Sequence, residues 1–148
     1  TKDFDSTDTI VDWLMPYSPE KDATYVRGFL GRMLFSGDDG LKKVNVLSGG
    51  EKVRVMLSKM MMLGANSLIL DEPTRGIDVG TKTEIQKLVI ELADQGKSLI
   101  FISSEIEEML RTCSKLVVLR DGQEVGEITE ELTQGHVMQS IAGGGRNE

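Results

Sequence analysis

The amino-acid sequence predicts an α/β fold in which a mostly parallel sheet follows a small helical subdomain. Upstream of residue 46, apolar residues recur three and four positions apart, which is the spacing of helices. Downstream of residue 66, short apolar runs without alternation are separated by helical spacing, which is typical of strands in a parallel sheet. We therefore expect a helical subdomain over residues 1–64 and an α/β core over residues 65–142.

The composition is that of one soluble domain. A chain of 148 residues suits a single compact core, and 39% hydrophobic with 28% charged residues excludes a membrane protein and a disordered acidic chain. The net charge is −7, so we do not expect the chain to bind nucleic acid through a broad positively charged surface. Any bound anion must therefore be held locally.

The sequence shows neither a targeting signal nor a cysteine pattern that indicates a function. Cys113 is the only cysteine, which excludes an intramolecular disulfide and a cysteine-cluster metal site. No stretch approaches 18 apolar residues, and the first residues do not resemble a signal peptide. We therefore expect a cytoplasmic protein without a transmembrane segment.

Three helices are expected in the helical subdomain. Apolar residues share one face over residues 10–14 and again over residues 26–34. Ser48-Gly49-Gly50-Glu51 has the S-x-x-E form of a capping box, and the apolar positions behind it continue a helix that Gly64 ends.

The core begins with a βαβ unit. Residues 68–70 and 98–102 read as strands buried on both faces, and a helix over residues 81–94 joins them. The elements expected after this unit are a helix over residues 106–110, a hairpin of strands 116–119 and 124–128, a helix over residues 133–141 and a disordered tail over residues 143–148.

Two acids stand where parallel sheets bind their ligands. Asp71 and Glu72 follow an apolar strand directly, and Pro73 stops it. In nucleotide hydrolases a strand-end Asp holds magnesium and a neighbouring Glu can polarise the attacking water. The alternative is a strand that meets solvent through two ordinary surface acids. Glu105, Glu107 and Glu108 are read as a solvated face in the same way.

A second feature is suited to binding an anion although it contains no basic residue. Gly49 and Gly50 have no side chains to cover the backbone N–H groups at a helix start, where the helix dipole adds positive potential. The alternative is simply a capped helix after a turn.

Together these two features resemble the ABC ATPases. Residues 47–51, LSGGE, resemble the signature loop of that family, and residues 67–74, SLILDEPT, resemble its Walker B strand. The resemblance implies a partial P-loop NTPase core that uses ATP and magnesium. Gly76-Ile77-Asp78 resembles the D-loop, and residues 102–105 resemble the switch strand and loop.

The resemblance assigns a role to each matching residue. In this family ATP lies between the Walker A loop of one cassette and the signature loop of another. The implied roles are catalysis for Glu72 and Ser104, magnesium binding for Asp71, and nucleotide binding for Ser48, Gly49, Gly50, Glu51 and Asp78. Ser104 stands where the family has its switch histidine, and a serine cannot hold a proton as imidazole does. His136, the only histidine, is expected at the surface.

One family element is missing from the sequence. The phosphate-binding loop G-x-x-x-x-G-K-[ST] occurs nowhere in it, and neither does the strand before that loop. We therefore expect an incomplete ATPase domain that is inactive alone and contributes its signature loop and Walker B residues to a partner. That partner is another cassette or a second copy, with a membrane permease implied by the family and a position peripheral to the inner membrane face. The alternative is a non-enzymatic folded fragment or scaffold.

The two halves resemble different branches of the family. Residues 1–74 resemble the soluble ABC-F proteins, whereas residues 75–143 resemble the second cassette of ribose- and galactose-type sugar importers. This pattern predicts a chimera joined at the shared DEPT, and the alternative is a divergent protein of one branch. In the related fold the missing strand lies between strands 98–102 and 116–119. Either these two strands pair directly or another chain fills the place, and we expect swapped dimerisation.

Overall fold

The computed structural model describes residues 4–143 and contains the predicted succession of helices and strands. None of the helices in this part of the chain is long and apolar enough to span a membrane. The tail predicted over residues 143–148 falls outside the described residues except for Gly143, which is helical. The elements are α1 (Ile10–Leu14), α2 (Ala23–Arg32), α3 (Gly49–Met62), β1 (Ser67–Asp71), α4 (Val79–Asp94), β2 (Ser98–Ile102), α5 (Ile106–Thr112), β3 (Leu116–Arg120), β4 (Gln123–Ile128) and α6 (Gln134–Gly143).

Local capping fixes where the two longest helices begin and end. The Ser48 side chain accepts a hydrogen bond from the Glu51 N–H, and the Glu51 side chain accepts one from the Ser48 N–H, so the predicted capping box of α3 is confirmed. The Asp78 side chain caps α4, which therefore starts at residue 79 rather than at the predicted residue 81. Both helices end before a glycine with positive φ, Gly64 at 76° and Gly96 at 87°.

The chain forms two compact units. The first comprises residues 4–68 and 73–99 and contains α1 to α4. Its interior is apolar and close to fully buried, as expected for amphipathic helices that turn one face inward. The most deeply buried apolar side chains are Ile10, Leu14, Val26, Val44, Val55 and Ile85.

The second unit comprises residues 69–72 and 100–143. Its centre is the antiparallel hairpin of β3 and β4, in which Leu116 pairs with Ile128. Asp121 and Gly122 at the tip both have positive φ, as in the tight turns that join hairpin strands. Val137 of α6 packs on this pair with partly buried side chains of α5, which makes a small apolar core.

The strands form two separate pairs. β1 pairs with β2 in parallel, since Ser98 N–H donates to the Asn66 carbonyl at one end and Glu72 N–H donates to the Ile102 carbonyl at the other, both at 2.9 Å. β3 pairs with β4, and within residues 4–143 no ladder joins β2 to β3. Direct pairing of these two strands, one of the two outcomes that the missing strand allowed, is therefore not adopted.

The strands are covered on one face only. Exposed and buried positions alternate along them, and the exposed fraction is 70% for Ile69, 58% for Ile100 and 69% for Leu119. The prediction that strands 68–70 and 98–102 are buried on both faces is therefore wrong. An apolar run shows only that both faces tolerate burial, and the described part of the chain supplies helices for one of them.

Candidate functional site

The N-terminus of α3 leaves backbone donors without an intrahelical partner. Gly49 and Gly50 are the first two helical residues, so their N–H groups precede the first intrahelical hydrogen bond, which Lys52 N–H makes with the Ser48 carbonyl at 3.0 Å. Ser48 Oγ accepts from Glu51 N–H at 3.2 Å, which leaves the hydroxyl hydrogen able to donate. These groups together form an anion-binding helix end.

Lys42 compensates the charge of Glu51 beside this helix end. Lys42 Nζ lies 2.9 Å from Glu51 Oε1 and 2.8 Å from Asp39 Oδ1. Burial tends to raise the pKa of Glu51, but hydrogen bonds from Lys42 and Ser48 outweigh it and lower that pKa. The hydrogen bond from Lys42 is also the main reason why the pKa of Asp39 lies well below its usual range. Glu51 is thus held ionised but paired, turned toward Lys42 and Ser48.

Sequence reasoning did not identify Lys42. It lies nine residues before Glu51, outside any helical or strand period, so no local pattern links the two. Only the fold of residues 36–47 brings it to the start of α3.

Gly50 is also required by packing. It is buried, and a Cβ added there would lie 2.0 Å from Thr81 Cγ2, far inside contact distance. A Cβ at Gly49 would lie 3.6 Å from Ile77 Cγ1. The signature-like loop therefore packs against the turn that leads into α4, and the first unit brings these two predicted segments together.

Asp78 acts as the N-cap of α4. Its Oδ1 accepts the Thr81 N–H at 3.0 Å, and this hydrogen bond is the main reason why the pKa of Asp78 is lowered. The side chain is otherwise exposed. Its assignment to nucleotide binding stays a prediction, because capping alone explains the observed geometry.

In the second unit, Glu72 and Ser104 are brought together. Glu72 Oε1 accepts the Ser104 N–H at 3.1 Å, while the Glu72 N–H donates to the Ile102 carbonyl. Glu72 has φ of 46°, a left-handed conformation that is unfavourable for a residue with a Cβ. Backbone strain at this acid is therefore maintained by two hydrogen bonds to one strand and the loop after it.

Asp71 lies exposed at the end of β1, next to Glu72. No group of three or more His, Cys, Asp or Glu side chains within residues 4–143 is arranged to hold a metal ion. Magnesium is commonly bound by one or two carboxylates together with phosphate oxygens and water, so a single Asp fits a role in which the nucleotide supplies most of the ligands. His136 is exposed in α6, where its Nδ1 lies 2.8 Å from the Glu131 carbonyl oxygen.

Glu108 corrects one sequence prediction. It was expected on a solvated face, but its side chain is only 3% exposed, and Ser103 Oγ donates to Glu108 Oε2 at 2.8 Å. Ser103 Oγ in turn accepts the Glu105 N–H at 3.1 Å. This pair fixes the loop that carries Ser104. Periodicity could not identify it, because the burial of Glu108 depends on a contact with a residue outside its helix.

The sequence matches a known family over nearly half its length. Residues 8–75 match the family model described as ABC transporter. An uncharacterized ABC transporter ATP-binding protein of Bacillus subtilis is 45% identical over 117 residues, which is 78% of this chain and 21% of the relative. A ribose import ATP-binding protein of Caldanaerobacter subterraneus is 37% identical over 136 residues, which is 91% of this chain and 27% of the relative. The chain thus spans about a quarter or less of these relatives.

Solved structures show the same fold. The ATP-binding cassette MJ0796, in a dimeric post-hydrolysis state bound to ADP and Pi, is similar with a TM-score of 0.68 and 21% identity, covering 90% of this chain and 61% of that one. A nucleotide-free ATP-binding cassette of an ABC transporter gives a TM-score of 0.72 and 22% identity, covering 85% of this chain and 50% of that one. These likenesses confirm the predicted fold class, an α/β core of the P-loop NTPase type with a helical subdomain. Residues 8–75 are thus similar to part of an ABC transporter domain, and ATP-binding proteins of sugar importers are among the homologues of the chain.

Proposed function

We propose that this chain contributes a signature loop to one ATP site and Walker B acids to another, each of which a partner polypeptide completes. The observation that carries the proposal is the start of α3, where the N–H groups of Gly49 and Gly50 and the Ser48 hydroxyl can donate to an anion and Lys42 compensates the charge of Glu51. The phosphate-binding loop itself is absent from the sequence. A nucleotide would therefore be held chiefly by the partner.

Each residue then has a definite task. Bound MgATP supplies the γ-phosphoryl group and the metal charge that neutralises it. Ser48, Gly49 and Gly50 donate hydrogen bonds to phosphate oxygens on the partner's nucleotide. Glu72 accepts a proton from the attacking water, and the Ser104 N–H holds its carboxylate in one orientation.

The remaining Walker B and D-loop residues complete this assignment. Asp71 supplies one carboxylate to magnesium, and Asp78 holds the turn that packs against the signature loop. Since Ser104 replaces an imidazole, hydrolysis in a completed site should be slow.

The sugar-importer homologues support a cytoplasmic position, peripheral to the inner face of a membrane where a permease is the partner. The chimera of an ABC-F half and a second-cassette half also stays part of the proposal, since a general ABC transporter ATP-binding protein and sugar-import proteins both match at high identity. Sequencing of the source locus tests it. An uninterrupted gene whose sequences before and after residue 75 both belong to one branch of the family would contradict it.

A trans-stimulation assay tests the signature role. A complete ABC cassette is supplied, and its ATP turnover is measured with and without this chain. Ser48→Asp retains an N-cap but replaces a hydroxyl donor with a negative charge, so stimulation should be abolished. Thr9→Asp makes the same kind of change at the N-cap of α1 and serves as the matched control. Equal stimulation by wild type and Ser48→Asp would refute the proposal.

The competing function is a folded scaffold without nucleotide binding, and the missing phosphate-binding loop favours it. Titration of the chain with ATP distinguishes the two. Magnesium-dependent binding at micromolar ATP that Ser48→Asp weakens supports a retained site, whereas no binding at millimolar ATP, with and without a supplied cassette, supports the scaffold.

A further inference from the structure

We propose that Glu108 is a positioning residue for Glu72, and that it acts through the Ser103 hydroxyl on the loop that carries Ser104. Glu108 touches no substrate in this role but orients the carboxylate that does. This inference rests on the proposed function, because that function makes Glu72 the base for the attacking water.

The first support is the burial of Glu108. Glu107 and Glu108 both lie in the first turn of α5, where a negative charge complements the helix dipole. Glu107 does this from the surface, with 74% of its side chain exposed and an ion pair to Arg111 at 3.3 Å. Glu108 is only 3% exposed, and taking a carboxylate out of water costs free energy that hydrogen bonds must offset. The helix dipole therefore explains the charge of Glu107 but not the burial of Glu108.

The second support is the hydrogen bond that Glu108 accepts. Ser103 Oγ donates to Glu108 Oε2 at 2.8 Å, and because Glu108 is shielded from water, this bond is stronger than the same bond at the surface. A hydroxyl has one hydrogen, so the Ser103 lone pairs remain as acceptors. One of them accepts the Glu105 N–H at 3.1 Å. Glu108 thus sets the orientation of the Ser103 side chain, which in turn holds the backbone of residues 103–105.

The third support is the order of the contacts along this loop. Glu72 N–H donates to the Ile102 carbonyl at 2.9 Å, and Ser104 N–H donates to Glu72 Oε1 at 3.1 Å. Ser103 lies between these two contacts. The backbone that Glu108 holds is therefore the backbone that directs the Ser104 N–H at the Glu72 carboxylate.

The hydrogen bond between Glu72 and Ser104 needs this support because water can reach it. Ser104 is exposed and Glu72 is half-buried, so water competes for both partners. Such a bond holds a carboxylate in one orientation only where its donor is itself fixed. The buried contact between Ser103 and Glu108 fixes that donor from the other side of the loop.

Amide hydrogen exchange measured by NMR tests the inference on the full 148-residue chain without nucleotide. Glu108→Met keeps a similar volume but removes the acceptor, and the protection factors of the Ser104 and Glu105 amides should fall roughly fivefold or more. Glu108→Gln keeps an oxygen that accepts the Ser103 hydroxyl, so both protection factors should stay within roughly twofold of the wild type.

Glu107→Met is the matched control, because it makes the same change at the exposed neighbouring acid and should leave both protection factors unchanged. The amides of the β3–β4 hairpin are the internal reference. Global destabilisation lowers their protection as well, whereas loss of positioning is confined to the loop. Glu72→Ala should lower the protection of the Ser104 amide and leave that of Glu105 unchanged, since only Ser104 donates to the Glu72 carboxylate.

Ser103→Ala gives a second approach should Glu108→Met not fold. This variant removes the hydroxyl that both hydrogen bonds share, so Ser104 protection should fall as in Glu108→Met. Ser103→Thr restores a hydroxyl and should recover the protection.

Four results would overturn the inference. These are no loss of Ser104 protection in Glu108→Met, an equal loss in Glu108→Gln, a loss that the hairpin amides share, and a loss at Glu105 without one at Ser104. Because no nucleotide is present, the expected exchange pattern in a chain that never gives Glu72-dependent turnover with a partner would refute the proposed function alone. In a completed site, Glu108→Met should lower kcat and leave KM unchanged. Glu72-dependent turnover with an unchanged kcat would refute this inference alone.

Discussion

The close approach of Gly50 to Thr81 makes Gly50→Ala a sharp test of the geometry around the signature-like loop. Elsewhere in a helix, Gly→Ala stabilises by about 0.5–1 kcal/mol because alanine loses less conformational entropy. At Gly50, however, the new methyl would lie 2.0 Å from Thr81 Cγ2 and 3.3 Å from Thr81 Cβ. We therefore expect the sign of the effect to reverse.

The magnitude follows from two opposing contributions. Overpacking of a well-packed contact costs about 1–3 kcal/mol, since side chains must leave their rotamers or the backbone must shift. Subtracting the propensity gain leaves a net loss of up to about 2.5 kcal/mol in the free energy of unfolding, with a central value of about 1 kcal/mol. Thr81→Ser removes the Cγ2 methyl that clashes, so the double variant should recover most of this loss.

Urea unfolding followed by circular dichroism measures the wild type and the three variants of this cycle, and a coupling energy of about 1–2 kcal/mol is expected. Gly28→Ala is the control, because a Cβ at Gly28 in α2 has no atom within 4 Å, and it should be stabilising. The reasoning would be refuted if Gly50→Ala were as stable as Gly28→Ala. It would also fail if Thr81→Ser gave no recovery.

Three further predictions concern the acids. The isolated chain should show no ATP turnover above a Glu72→Gln control, since the phosphate-binding loop is absent, and turnover that this substitution abolishes would contradict it. Burial raises the pKa of Cys113 and the charge of Glu108 raises it further, so Glu108→Gln should move the pH profile of iodoacetamide labelling to lower pH; an unchanged profile would rule this out. The Thr81 N–H lowers the pKa of Asp78, so the ionised Asp78 side chain stabilises the folded chain at pH values above the usual Asp pKa of about 3.9. This stabilisation is lost as the pH falls below that pKa. Asp78→Asn should flatten this acid-induced loss in urea titrations at several pH values, and a parallel curve would count against the cap.

The parts of the site that depend on short sequence separation could be predicted. Ser48 and Glu51 are three residues apart, so their capping box and the start of α3 were readable from the motif alone. The turn at Asp121-Gly122 was readable for the same reason, because both residues tolerate positive φ.

The parts that depend on distant residues could not be predicted. Lys42 reaches Glu51, and Ser103 reaches Glu108, through contacts that no periodic pattern encodes. Burial of a strand likewise depends on what covers it, so the apolar sequence around Ile69 indicates a strand but not whether one or both faces are covered.

The left-handed backbone at Glu72 allows a final comparison. Glu72 and Leu34 both have positive φ, 46° and 62°, a conformation that costs a residue with a Cβ about 1 kcal/mol or more. Leu34→Gly removes this strain, and because its side chain is 46% exposed, little packing is lost and stabilisation is expected. Glu72→Gly removes the same strain but also the carboxylate that accepts the Ser104 N–H, whose loss costs about 1 kcal/mol, so its net effect should be near zero. Urea unfolding of both variants measures the difference. Equal stabilisation by the two would mean that the Glu72–Ser104 hydrogen bond contributes nothing and that the strain at Glu72 is not offset by it.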